Sequence, residues 1–313
     1  MKRLNVVYFG TPDFSVPTLD LLANHPSINI VSVVSMPDRK SGRGLELKSP
    51  EVIEYSKNNR INFFQTENIN KEESYLQELE SKNIDLFIVL AFAQFLGQRV
   101  LSIAKQGAFN IHTSLLPKYR GAAPIQYALL NGDTTTGVSI QRMVKKMDAG
   151  DVCHSKSIKV ASNETGGQLY TRLKFQAALS ANEFISDLIH DKLQFIAQDE
   201  SLVSFAPTLK KNDGFLDFKN MTYQQITNII RALDPWPGSY CFLDKKRLKV
   251  FSILTTDLSL KPGELFYKNG FLNIGTKDKT VRLNSIQIEG KARSTDIEFL
   301  NGIKKEFTIN PEV

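Results

Sequence analysis

Sulfur is scarce in this sequence. Of 313 residues only two are cysteine, Cys153 and Cys241; they form no CxxC pair and share no metal-ligand spacing with any of the four histidines. That argues against a disulfide-built fold and a metal site, and for ordinary thiols in a reducing cytoplasm. No run of 18 or more apolar residues occurs, so neither a membrane-spanning helix nor a membrane partner is expected. The start, Met1-Lys2-Arg3-Leu4-Asn5, enters a strand-like segment without the apolar region and small-residue cleavage site of a signal peptide. A dinucleotide fingerprint is missing as well. Gly10-Thr11-Pro12 could cradle a phosphate at a helix N-terminus, but Pro12 and Asp13 stand where a GxGxxG loop is open. Neither an internal repeat nor a low-complexity tract is present.

The chain is long enough for two domains, and its charge is unevenly spread between them. Residues 1–207 carry 22 Lys/Arg against 21 Asp/Glu, whereas residues 208–313 carry 17 against 12. Nearly all of the net +6 therefore sits in the last third. Such asymmetry suits a polyanionic partner, and a lysine-rich soluble surface is the plain alternative.

In the first half, apolar runs alternate with helix-spaced segments. Leu4–Phe9, Ile28–Val34, Asp85–Ala91, Ala108–His112 and Val138–Met143 read as strands, several of them continuous as in a sheet covered on both faces. Phe14–Ala23, Lys71–Ser81 and the long Thr165–His190 read as helices. The alternation predicts parallel βαβ units in a Rossmann-like α/β domain over residues 1–190. Met36–Pro50 holds two glycines, two prolines and four Lys/Arg, which predicts an exposed, mobile basic loop. Residues 191–207 read as a linker. From 208 to 313 short β-prone pieces, Ser239–Leu243, Arg247–Ile253, Gly270–Ile274 and Thr280–Ile288, are separated by turn signals. One helix is expected at Thr222–Leu233, and the pattern predicts a smaller β-barrel.

The residues with chemistry in them lie in Gly107–Gly121. Asn110 and His112 stand two apart at a strand end, so their side chains share a face, and carboxyl ends of parallel strands hold ligands in open α/β sheets. Asp148 follows in a turn after a later strand. An amide that steadies a developing oxyanion, an imidazole that manages protons and a carboxylate that fixes its tautomer are together equipped for acyl transfer to an amine. Singly, each has a structural explanation: a turn former, a packed histidine, a loop cap.

Several stretches resemble the methionyl-tRNA formyltransferase family. They are Phe9-Gly10-Thr11-Pro12-Asp13-Phe14, Pro37-Asp38-Arg39 with Gly42-Arg43-Gly44, and Asn110-Ile111-His112-Thr113-Ser114-Leu115-Leu116-Pro117 with Arg120-Gly121-Ala122-Ala123-Pro124-Ile125-Gln126. Asp148-Ala149-Gly150-Asp151 and Asp234-Pro235-Trp236-Pro237 complete the set, so the likeness spans the chain. The resemblance implies a Rossmann-like formyltransferase domain with an OB-like C-terminal barrel that binds tRNA. It implies catalysis by Asn110, His112 and Asp148, with 10-formyltetrahydrofolate as co-substrate, no metal, and initiator methionyl-tRNA as partner of a cytoplasmic monomer. It also implies folate contacts at Ser114, Leu115, Leu116, Pro117, Val89, Leu90 and Phe92, and tRNA contacts at Arg43, Arg39, Lys40, Lys48 and Lys211. Phe92-Ala93 stands for the family's usual Tyr-Gly, Gly97 for its Pro and Thr113 for its Gly, all in or near the folate wall. A formyltransferase acting on an amino sugar nucleotide would share the Asn–His–Asp set, though it gives no reason for the GRG loop.

Overall fold

The structure, a computed structural model, describes residues 3–41 and 46–301. Two compact units form: Met1–Pro124, Thr135–Lys159 and Tyr170–Ala206 make the first, and Ile125–Thr134, Val160–Leu169 and Pro207–Val313 the second.

In the first unit β1 (Leu4–Gly10) leads to α1 (Val16–Ala23) and β2 (Ile28–Ser35). A short hairpin, β3 (Arg39–Ser41) with β4 (Glu46–Lys48), precedes α2 (Glu51–Asn58) and β5 (Phe63–Gln65). The chain continues through α3 (Glu73–Ser81), β6 (Leu86–Leu90), α4 (Gln98–Ile103) and β7 (Ala108–His112). After β8 (Arg120–Gly121) and α5 (Pro124–Leu130) come β9 (Thr135–Arg142), β10 (Val152–Lys159), α6 (Gly166–Ile189) and β11 (Phe205–Ala206). Seven strands form one sheet in the order β10-β9-β7-β6-β1-β2-β5. Its apolar runs explain the middle. Val7, Phe9, Phe87 and Val89 join a core with Leu76, Leu79 and Val100, while Val6, Tyr8, Leu86 and Ile88, of opposite parity, are equally buried. β1 lies between β2 and β6, so the chain reverses its direction of spread there, and in open α/β sheets ligands bind at the carboxyl ends of strands at such a switch point.

Three expectations are corrected. The sheet is only mostly parallel: β9 runs antiparallel to β7, and β10 antiparallel to β9. The 143–151 connection holds no helix to cross the sheet, so it can join only antiparallel neighbours. Within the basic stretch Met36–Pro50, expected as a loop, β3 pairs with β4 and sets Arg39 opposite Lys48; residues 42–45 lie outside the described residues. Residues 191–207 are no free tether. Ile196 exchanges two 2.9 Å backbone hydrogen bonds with Val152, and β11 pairs with β8.

The second unit holds α7 (Tyr223–Ala232), begun by a capping box of Thr222 with Gln225. Its strands are β12 (Tyr240–Leu243), β13 (Lys246–Thr255), β14 (Leu265–Phe266), β15 (Asn273–Gly275), β16 (Thr280–Ile288) and β17 (Ser294–Thr295), followed by α8 (Asp296–Asn301). They form an antiparallel half-barrel in the order β12-β13-β16-β15-β14, with β17 on β16. Register shifts at Val250/Ser252 and Ser252/Leu254 interrupt the β13–β16 ladder and bend it over the core of Leu216, Ile226, Leu248 and Leu283. This is an OB-like domain with open edges. Inside it the fully buried Asp296 accepts from Arg282 at 2.7 and 2.8 Å.

Candidate active site

Alternation along β7 sends Phe109 and Ile111 to one face and Asn110 and His112 to the other. Phe109 packs against Phe184 of α6, with centroids 4.8 Å apart. Asn110 and His112 sit beside their register partners Gln141 and Ser139 on β9. Cross-strand pairing of this kind makes those four side chains neighbours on one sheet face.

Asp148 joins them from the β9–β10 loop. That loop leaves β9 at Arg142, opposite Phe109 near the start of β7, and curls back so that Asp148 lies over the Asn110/His112 face. Three donors converge on its carboxylate: Gln141 Nε2 and the Gly121 backbone N–H, each at 2.9 Å, and Asn110 Nδ2 at 3.3 Å. His112 Nδ1 is 3.8 Å from Oδ2. Asp148 has φ of 51°, in the left-handed region where a non-glycine residue is strained. Gly121 has φ of 123°, and a Cβ there would stand 2.7 Å from the Ala206 carbonyl oxygen. Only glycine lets that N–H approach the carboxylate.

The partner of the histidine differs from the sequence-based expectation. His112 Nε2 lies 2.8 Å from the Tyr119 carbonyl oxygen. A carbonyl only accepts, so Nε2 carries the hydrogen and the neutral ring keeps its lone pair on Nδ1. Tyr119, not Asp148, therefore fixes the tautomer. Asp148 faces the lone pair without a proton between them, and the pair becomes strongly attractive only when Nδ1 is protonated. A base whose charged form alone gains a partner is suited to taking up a proton during a reaction.

The residues expected around a folate divide into two groups. Val89 and Leu90 are 3% and 2% exposed, so only their main chain can meet a ligand, and Ser15 Oγ already donates to the Leu90 carbonyl at 2.7 Å. Phe92 packs edge-on to Phe9, with centroids 5.3 Å apart. Ser114 is buried, donating to the Lys118 carbonyl at 2.5 Å, and its own carbonyl accepts from Ser139 Oγ at 2.8 Å. Leu115, Leu116 and Pro117 are half-buried and offer an apolar surface. Reasoning from sequence missed Tyr119, Gln141 and Gln198. Gln141 could have been found from its place opposite Asn110; Gln198, in the stretch taken as a linker, gave no signal.

Of the residues expected to meet tRNA, Arg39 and Lys48 are exposed and lie across from each other in the hairpin, paired with Glu67 at 2.8 Å and Glu51 at 2.6 Å. Such exposed pairs are worth little and leave both cations available. Lys40 is exposed on the same hairpin, Lys211 is exposed in the second unit, and Arg43 lies outside the described residues. A 660 Å³ cleft lined by Leu101, Phe109, Arg142 and Phe195 lies toward the start of β7 and includes none of Asn110, His112 and Asp148. Burial pushes the Cys153 and Cys241 thiols up to about 12. No described helix is long and apolar enough to cross a membrane.

The Formyl transferase family profile matches residues 2–182, and the Formyl transferase, C-terminal domain profile matches 208–304. The chain is 37% identical over 308 residues to a methionyl-tRNA formyltransferase of Geobacter metallireducens, covering 98% of both. It is 38% identical over 302 residues to that of Thermotoga maritima, covering 96% of this chain and 95% of the relative. Among solved structures, a Helicobacter canadensis N-formyltransferase in complex with folinic acid and dTDP-3-aminofucose has the same fold, with TM-score 0.66 and 20% identity over 89% of this chain and 98% of that one. HypX of Aquifex aeolicus matches with TM-score 0.64 and 16% identity over 97% of this chain, which spans 49% of that longer protein. The chain belongs to the methionyl-tRNA formyltransferase family.

Proposed function

We propose that this chain transfers the formyl group of 10-formyltetrahydrofolate to the α-amine of methionine on initiator methionyl-tRNA, acting as a cytoplasmic monomer. The observation that carries the reading is the convergence of Asn110, His112 and Asp148 on one sheet face. Leu115–Pro117 and the main chain at Leu90 beside the switch point are suited to hold the folate. Arg39, Lys40 and Lys48 on the hairpin, Arg43 between its strands in the sequence, and Lys211 with the basic second unit are suited to the tRNA's phosphates.

An α-amine has a reference pKa of about 7.7–8.0, so part of it is neutral at working pH and can attack the formyl carbon. Asn110 releases its 3.3 Å bond to Asp148 and donates to the formyl oxygen as that oxygen gains charge. His112 Nδ1 takes the proton that the attacking nitrogen must lose, and Asp148 stabilises the imidazolium. The carbon–nitrogen bond to N10 then breaks, and the same proton passes from His112 to the departing nitrogen. The sum is one new amide bond, one lost, and one proton moved.

The test is single-turnover formyl transfer with saturating substrates. Asn110→Ala is expected to slow it by about 10²–10³-fold, the usual loss for one oxyanion donor, and His112→Ala by at least about 10²-fold. Near-normal rates for both remove the assignment. The rival acceptor, an amino sugar nucleotide, is expected to give no product under the same conditions.

A further inference from the structure

The Asp148 loop has little of its own to keep residue 148 in a left-handed conformation: the Ala149 N–H donates to the Lys146 carbonyl at 3.3 Å. Besides Gln141, Asn110 and the Gly121 N–H on the Asp148 carboxylate, a strap of residues 195–206, within the expected linker, holds its main chain. Gln198 Nε2 donates to the Asp148 carbonyl at 2.9 Å and to the Gly150 carbonyl at 2.7 Å, pinning the main chain that leaves the strained residue. Gln198 Oε1 in turn accepts from Arg120 Nε at 3.0 Å and Nη2 at 2.8 Å. Arg120 is 1% exposed, a buried cation held through Nε and Nη2 by Gln198 and Glu200, while its buried Nη1 has no partner among the described residues. Glu200, also on the strap, accepts from Arg120 Nη2 at 2.9 Å and from Lys146 at 2.7 Å. Arg120, and then Lys146, holds the Glu200 carboxyl down to about 2, so this anchor stays charged throughout the neutral range.

The strap also secures the histidine's support. Ser204 Oγ accepts from the Tyr119 N–H at 2.9 Å, and the Ser204 carbonyl accepts from the Arg120 N–H at 2.9 Å. Tyr119, with φ of 61°, supplies the carbonyl that fixes the His112 tautomer. β11 pairs with β8, opposing Ala206 to Gly121, whose N–H donates to Asp148. One strap thus touches the holders of both His112 and Asp148.

We infer that the 195–206 strap is a positioning element of the active site, with Gln198 as the residue that sets Asp148 against His112. The inference rests on the formyl-transfer reading above. Gln198 bonds the Asp148 and Gly150 main chain and Arg120, so its effect runs through the Asp148 main chain. Misplacing a catalytic group by about 1 Å costs on the order of 10²-fold in rate.

The experiment is a double-mutant cycle on the full-length enzyme, read by single-turnover formyl transfer and by KM for both substrates. Gln198→Ala is expected to slow the chemical step by about 10–100-fold while each KM changes by less than about twofold. In an Asp148→Asn background the same change is expected to add less than about twofold, because the group it positions is already disabled. Gln198→Glu covers the case in which the alanine variant fails to fold. It keeps size and an acceptor for Arg120 but loses the NH₂ that holds two carbonyls, so the same slowing is expected in a folded protein. Rates within about twofold of wild type for the folded variants overturn the inference, as does a loss that multiplies fully with that of Asp148→Asn. A wild-type enzyme without formyl transfer, or an Asp148→Asn variant as fast as wild type, would instead remove the underlying functional reading.

Discussion

His112 shows how much of a site is decided by one hydrogen bond. Spacing from Asn110 placed both side chains on one face of a strand, and the structure bears this out on β7. Which ring nitrogen stays free was not legible. It depends on a carbonyl seven residues on, at Tyr119, and no side-chain pattern announces a main-chain acceptor. The cysteines lend themselves to a prediction at this scale. Burial holds both thiols near 12, so at pH 8 the thiolate fraction is on the order of 1 in 10⁴, against about a quarter for a free thiol. A thiol-specific disulfide reagent is therefore expected to leave the native enzyme unmodified over minutes and to label two sites after denaturation. Rapid labelling of either cysteine in the native state would contradict the burial.

At the scale of elements, the sequence exposed what repeats. β6 is apolar at every position and buried on both faces, and α7 carries its capping box in plain view at Thr222 and Gln225. Strand direction was hidden, because Val138–Met143 has the same buried apolar pattern whether it runs with β7 or against it. The 195–206 strap was hidden for a different reason. It is polar and aperiodic, and its role comes from hydrogen bonds to loops far away in sequence, Gln198 to Asp148 and Ser204 to Tyr119. Gly121 links β8, the strap and the site. Gly121→Ala must fit a Cβ 2.7 Å from the Ala206 carbonyl at φ of 123°, and the strain expected at such a position is about 1–3 kcal/mol. The variant is expected to melt several degrees lower and to lose formyl transfer by at least about tenfold, since the N–H facing Asp148 moves with the strap. Wild-type melting and wild-type rate in that variant would show that the close approach is unimportant.

Across the whole molecule, the division into a nearly neutral first part and a basic last part was legible from charge counts alone. The two units do not follow the chain so simply, since 125–134 and 160–169 group with the second. Within that unit Asn228 donates to the Leu130 carbonyl at 3.1 Å and Arg231 to the Leu129 carbonyl at 3.3 Å. Cutting the chain at 207 would orphan those groups, so the electrostatic reading is better tested by charge removal. Lys211, Lys246 and Lys249 are exposed in the second unit. Changing all three to Gln is expected to weaken tRNA binding and to make the log Kd against log salt slope shallower by about two to three, at about 0.7–0.9 for each phosphate no longer neutralised. An unchanged slope would place the phosphate-binding cations elsewhere.

The most direct measurement supplies the enzyme with 10-formyltetrahydrofolate and, in parallel, initiator methionyl-tRNA or an amino sugar nucleotide, and follows the formylated product by mass. Formylmethionyl-tRNA is expected with the wild type, no product with the sugar, and a loss of at least about 10²-fold with His112→Ala. Formylated sugar without formylated tRNA, or an undiminished rate in the folded His112→Ala variant, would contradict the account.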